Sequence, residues 1–269
     1  MVIAIVDGTE EGARAAPAAN RWTWRASGEE GRTLGELLGD PDRKALLEKW
    51  DVLRGVRIRL FRFDERFDAA AASVPQTTAF LQSLLSSDVF ASGFADVVPS
   101  KLDLGADAYE VVASAAVDMG IFDVWRDRGV VRPNGSISMC PDCYLDDGVV
   151  AQNELQRALY DEESQAYGSV DDHEFIVQLM QMMVLGGPLC QFEDTIQPYL
   201  DVVKAFYKYL MNVVKTANDT LQITSKVYRI RDGRLFASPP SPWNRLYVIV
   251  DASRRHASVL YFPRGNTAW

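Results

Sequence analysis

The chain has 269 residues, 48% of them hydrophobic, and a formal charge of −9. Such a length supports a substantial core, and such acidity argues against partners held through clustered Lys and Arg, nucleic acid and anionic membrane surfaces alike. No apolar run approaches the ~20 residues of a membrane span, and three cysteines, Cys140, Cys143 and Cys190, suit reduced thiols better than a disulfide framework.

The opening MVIAIVDG reads as a short buried strand, too short and too poor in basic residues for a secretory signal, so the expected compartment is the cytosol. Residues 13–39, rich in Ala, Gly, Arg and Glu, carry no sustained period and are expected to be mobile, with little buried beyond Trp22 and Trp24. A domain boundary is therefore placed between residues 39 and 40. Asp40-Pro41 starts a helix, cap then first-turn proline, with Leu46, Leu47, Trp50 and Leu53 on one face and Gly55 as its stop. From Val56 the period becomes two, giving a strand whose Arg57, Arg59 and Arg62 read as the solvated face of an edge strand in preference to a patch for an anion or acidic partner. Pro75 opens another helix, FASGFADVVP reads as a strand, and residues 107–125 read as a helix. Arg132-Pro-Asn-Gly-Ser is a turn, and residues 153–160 are helical again.

Residues 175–210 are the most patterned stretch. Phe175, Leu179 and Met183 recur at four-residue steps, so a helix buries a broad face there. Gly186, Gly187 and Pro188 end it, and if Gly187 is left-handed a valine there costs about 1 to 2 kcal/mol. Glu193 or Asp194 is the expected cap of a second helix running through Tyr199, Phe206 and Leu210 to Val214. Strands follow at 223–228, 246–250 and 259–262, the middle one apolar on both faces. The expected fold is α+β, one domain over 40–269 with helices packed on an antiparallel or mixed sheet and a C-terminal β-meander.

Few residues invite chemistry. Cys140-Pro-Asp-Cys143 has the spacing of a zinc or redox pair, but Cys190, His173 and His256 are distant and unpaired, so a turn with two small side chains is the preferred reading and no metal or cofactor is assigned. Adjacent carboxylates Glu193 and Asp194 diverge on a helix and cannot act on one bond, so they are read as structural together with Gly186, Gly187 and Pro188. No nucleophile elbow, HExxH helix or GxGxxG loop is present. Arg254, Arg255 and His256 form a compact cationic corner, a fork for an acidic partner or a site of internal pairing.

Three blocks, LGGPLCQFEDTIQPYL, LQITSKVY and YVIVDASRRHASVLYF, with KWDVLRGVRIRLFRFDERF and a weaker FDVWRDRGVVRPNGSI earlier, resemble the cilia- and flagella-associated protein 300 family. The resemblance implies a non-enzymatic factor in assembling or transporting axonemal dynein arms, working between cytoplasm and cilium. The partners it implies are dynein arm subunits, assembly factors including a PIH-domain type co-chaperone, and the intraflagellar transport machinery. It brings no catalytic residue with it. A degenerate enzyme with a small-molecule pocket and a permanent axonemal subunit are the alternatives. The contact residues proposed from the sequence are Arg254, Arg255, His256, Trp22 and Trp24.

Overall fold

Arg245–Asp251 is buried at all seven positions, which requires cover on both faces of the sheet it belongs to. The computed structural model, describing residues 22–27, 34–95, 104–105, 107–145, 149–216, 218–231, 233–236 and 241–264, supplies that cover. The described strands are β1 (Trp24–Ala26), β2 (Arg57–Phe63), β3 (Tyr109–Val112), β4 (Met139–Tyr144), β5 (Val150–Asn153), β6 (Val213–Lys215), β7 (Leu221–Ile223), β8 (Lys226–Ile230), β9 (Arg245–Asp251) and β10 (His256–Phe262). The helices are α1 (Leu34–Leu37), α2 (Pro41–Lys49), α3 (Val74–Leu85), α4 (Asp88–Gly93), α5 (Val124–Asp127), α6 (Glu154–Tyr160), α7 (Phe175–Leu185) and α8 (Gln197–Leu210).

Six strands form one antiparallel sheet in the order β1-β2-β10-β9-β8-β3, and β4-β5 and β6-β7 are separate hairpins. Alternation along the strands sends Tyr247, Ile249 and Leu260 to a core with α2, α6, α7 and α8. Leu246, Val248, Val250, Val259 and Tyr261 go to a second core under α3 and α4. The α+β architecture and the C-terminal meander are as the sequence implies, with β8, β9 and β10 consecutive neighbours and α7 and α8 lying on them. Phe175 meets Tyr247 edge-on at 5.2 Å.

Several elements depart from the sequence reading. Trp22 and Trp24 are buried as expected, but the stretch around them, expected to be mobile, forms β1 and pairs with β2, because Trp-Thr-Trp alternates and each indole reaches Phe80, 5.1 Å away. β2 consequently lies inside the sheet rather than at its edge, and its Arg57 and Arg59 share a face with buried Phe61 and Phe63. Phe90 and Phe94 belong to α4 and its end, capped by Ser87 Oγ, which accepts from the Phe90 N–H at 3.2 Å, so residues 90–95 are helix and turn where a strand was expected over 90–99, and residues 96–99 lie outside the described residues. Residues 107–125 hold β3, a short turn of tight helix at Met119–Phe122 and α5 in place of one long helix; Val111-Val112 favours pairing with β8 over helix. α8 stops at Leu210, and β-branched Val213-Val214 form β6 instead of continuing it. The strand expected at residues 1–8 lies outside the described residues. No helix among the described residues is long and apolar enough to cross a membrane.

Candidate functional site

The corner between α7 and α8 is built against the end of α2. Gly186 has φ +60° and ψ −159°, a conformation almost restricted to glycine, and a Cβ on it would strike the Trp50 carbonyl oxygen and lie 2.6 Å from Cys190 Sγ. Gly187 is not in the left-handed region. It is glycine because a Cβ would strike the Asp51 carbonyl oxygen and approach its Oδ2 to 2.6 Å. The close approach lets the Gly187 N–H donate to the Trp50 carbonyl at 2.9 Å, and the Gln191 N–H donate to that of Lys49 at 3.0 Å. Pro188 is half-buried in the turn between them.

Glu193 and Asp194 do not cap α8, which begins at Gln197 with Pro198 in its first turn. Glu193 instead accepts from the Trp50 indole N–H at 2.9 Å and pairs with Lys49 Nζ at 2.9 Å, while its own N–H donates to the Tyr199 hydroxyl at 3.0 Å. Tyr199 stacks on Trp50 with centroids 4.6 Å apart. The carbonyl of Asp194 accepts from Ile137 N–H at 2.8 Å. The Glu193 bonds join the end of α2 to the start of α8, and the Asp194 carbonyl ties the same segment to Ile137. Burial pushes the Cys190 thiol up to about 12, which leaves it protonated and unreactive at neutral pH.

Cys140 and Cys143 lie on β4, whose pairing with β5 is interrupted by a bulge between Met139 and Cys143. Cys143 Sγ is 3.7 Å from Asp161 Oδ2. Among the described residues the one cluster of three metal-ligating side chains is Asp171, Asp172 and His173, exposed and self-paired, and neither cysteine belongs to it. Trp22 and Trp24 are 7% and 5% exposed, with the Trp24 indole N–H donating to Ser83 Oγ at 2.9 Å, so both indoles are committed to the core under α3.

The cationic corner is at the surface. Asp251 shapes the β9–β10 turn by accepting from Ser253 N–H at 3.1 Å, Ser253 Oγ at 2.6 Å and Arg254 N–H at 3.2 Å. Arg255 takes φ +54° at the turn's end and donates to the Asp64 carbonyl at 2.6 Å. Arg254 is 3.6 Å from Asp251 Oδ2 with about half its side chain exposed. Strand register then extends the corner. Arg25, Arg62 and His256 are direct cross-strand partners on β1, β2 and β10, so their side chains leave the same face of the sheet in a row. Arg25 and Arg62 are exposed. Beside the row, Arg254 and His256 line a cleft of about 120 Å³ with Asp251, Asn212 and Ser225. That volume is below the ~300 Å³ at which small-molecule pockets begin and suits a side chain. Arg25 was not singled out from the sequence; the signal for it was the alternation of Trp22, Trp24 and Ala26 around it, obscured by the glycine-rich flank.

The sequence model of the family "Cilia- and flagella-associated protein 300" matches residues 33–262. A protein of that name from Paramecium tetraurelia is 31% identical over 235 residues, covering 85% of this chain and 90% of its own length. One from Chlamydomonas reinhardtii is 29% identical over 242 residues, covering 83% of this chain and 92% of its own. No solved structure matches the chain.

Proposed function

Since this chain belongs to the cilia- and flagella-associated protein 300 family, we propose that it has a cilium-related role as a non-enzymatic factor in assembling or transporting axonemal dynein arms. It works by binding dynein arm subunits or their assembly machinery, in the cytoplasm and in the cilium.

The observation that supports a binding role is the row Arg25, Arg62 and His256 with Arg254 and Arg255 at its end, gathered on a chain of net charge −9. Guanidinium groups make bidentate, charge-assisted bonds to carboxylates, so the row fits an acidic segment of a partner. Asp251 holds the turn's backbone in shape, while Arg254 stays about half exposed beside it and Arg255 Nη1 donates to the Asp64 carbonyl. An Arg254→Glu, Arg255→Glu double variant should melt like the wild type and lose most capture of dynein intermediate or heavy chains in pull-downs from ciliated-cell extract. Capture at wild-type level by the folded variant would overturn the assignment.

A further inference from the structure

At the opposite end of the sheet from the β9–β10 turn, two arginines share a single carboxylate and a third lies on the adjoining strand. Arg229 Nη1 is 3.3 Å from Glu110 Oε1, and Arg231 pairs with Oε2 of the same group. Arg245 on the adjoining strand is 6% exposed. Its Nη1 donates to the carbonyls of Pro242 at 2.5 Å and Asn244 at 3.1 Å, and its buried Nε has no hydrogen-bond partner. Burial, reinforced by the Arg229 cation, lowers the Arg245 pKa, so the neighbourhood is already short of negative charge. A buried guanidinium without a counter-charge is costly, and this cluster leaves two positive charges unmatched among the described residues.

The cluster borders a cavity of about 440 Å³. Arg229, Arg231, Ser241 and Asn244 give it a polar side, and Phe236 and Pro242 an apolar one. Arg245 holds the wall in place through the two carbonyls it binds. Asn244 Oδ1 accepts from Arg264 N–H at 3.1 Å, which leaves its amide NH₂ to donate. The volume falls within the range of ~300–1,000 Å³ that encloses small ligands, unlike the cleft at the other end of the sheet.

We infer that this cavity is a binding site for a small phosphorylated organic molecule, its phosphate held by Arg229 and Arg231 and its apolar body against Phe236 and Pro242. A phosphate monoester carries about −1.5 to −2 charges at neutral pH and has three oxygens, enough to accept bonds from both the Arg229 and the Arg231 guanidinium at once, which matches the donors that line the cavity. A carboxylate supplies only one charge. Glu110 is the built-in competitor, occupying the two guanidinium groups when the site is empty.

The test is thermal denaturation and calorimetric titration of the full chain with inorganic phosphate and with AMP, against sodium chloride at equal ionic strength. Both probes should raise the melting temperature above the chloride control, with AMP binding at least about 10-fold tighter than phosphate, a difference of about 1.4 kcal/mol. Glu110→Gln, which removes the competitor, should tighten phosphate several-fold. Arg231→Gln, at a largely exposed side chain that should not affect folding, should weaken both probes by about 10-fold. Absence of any shift beyond chloride in both the wild type and Glu110→Gln would overturn the inference. So would binding that Arg231→Gln leaves intact, or capture of a polyglutamate peptide at this site in preference to either phosphate probe.

Discussion

A valine at position 187 would set its Cβ against the carbonyl of Asp51 and its carboxylate, in a segment where the Gly187 and Gln191 N–H groups are bonded to the same short stretch of backbone. The clash is with main chain, so relief requires the α7–α8 corner to separate from the end of α2. Gly187→Val should therefore cost about 1 to 3 kcal/mol by overpacking, and Gly186→Ala a similar amount through its glycine-only conformation. Urea denaturation measures both. A Gly187→Val variant with the wild-type midpoint but impaired partner capture would show that the corner is a contact surface and not a joint. The left-handed conformation on which the sequence reading made the cost at Gly187 conditional belongs to Gly186, so Gly187 is constrained for another reason. Its constraint comes from a neighbour 136 residues earlier in the chain, which no local pattern reveals.

Among the elements, those whose signals are local were legible: Asp40 and Pro41 start α2, the four-residue recurrence places α7, and alternation places β8, β9 and β10. Those that depend on distant partners were not. β1 is three residues long and is held by the register of Trp24 with Phe63 and by the aromatic cluster around Phe80, whose ring also stacks on Phe67 at 3.9 Å. Its indoles are core groups by that measure, so Trp24→Ala should destabilise by about 3 to 5 kcal/mol, as large aromatic truncations in cores do. If chemical denaturation gave a loss below about 1 kcal/mol, β1 would be peripheral to the fold. The candidate site divides the same way. Arg254, Arg255 and His256 were visible as a sequence cluster, whereas Arg25 and Arg62 join them only through strand pairing, and Arg229, Arg231 and Arg245 converge only because β8 and β9 are neighbours.

For the whole molecule, the two-sided burial that gives β9 its apolar surroundings also encloses phenols and a thiol whose charged forms it cannot accommodate. Burial raises the pKa of Tyr160, Tyr199, Tyr207, Tyr228 and Tyr247, and pushes Tyr261 and Cys190 to about 12. In the unfolded chain the thiol ionises near 9.0 and the phenols near 10.0. Above pH 9 the folded state thus holds more protons than the unfolded one, and the free energy of unfolding falls as pH rises. The contribution is complete below pH 9 and is lost progressively towards pH 12 for Cys190 and Tyr261. Because seven groups act together, the melting temperature should be nearly flat from pH 7 to 9 and then drop steeply, with tyrosinate absorbance rising in step with loss of secondary structure. In the same window Cys190 should resist alkylation until the chain unfolds. Tyrosinate absorbance from most of these phenols at pH 10, while circular dichroism and the alkylation of Cys190 remain native, would mean that the rings are reached by solvent and that the two cores are looser than their packing implies.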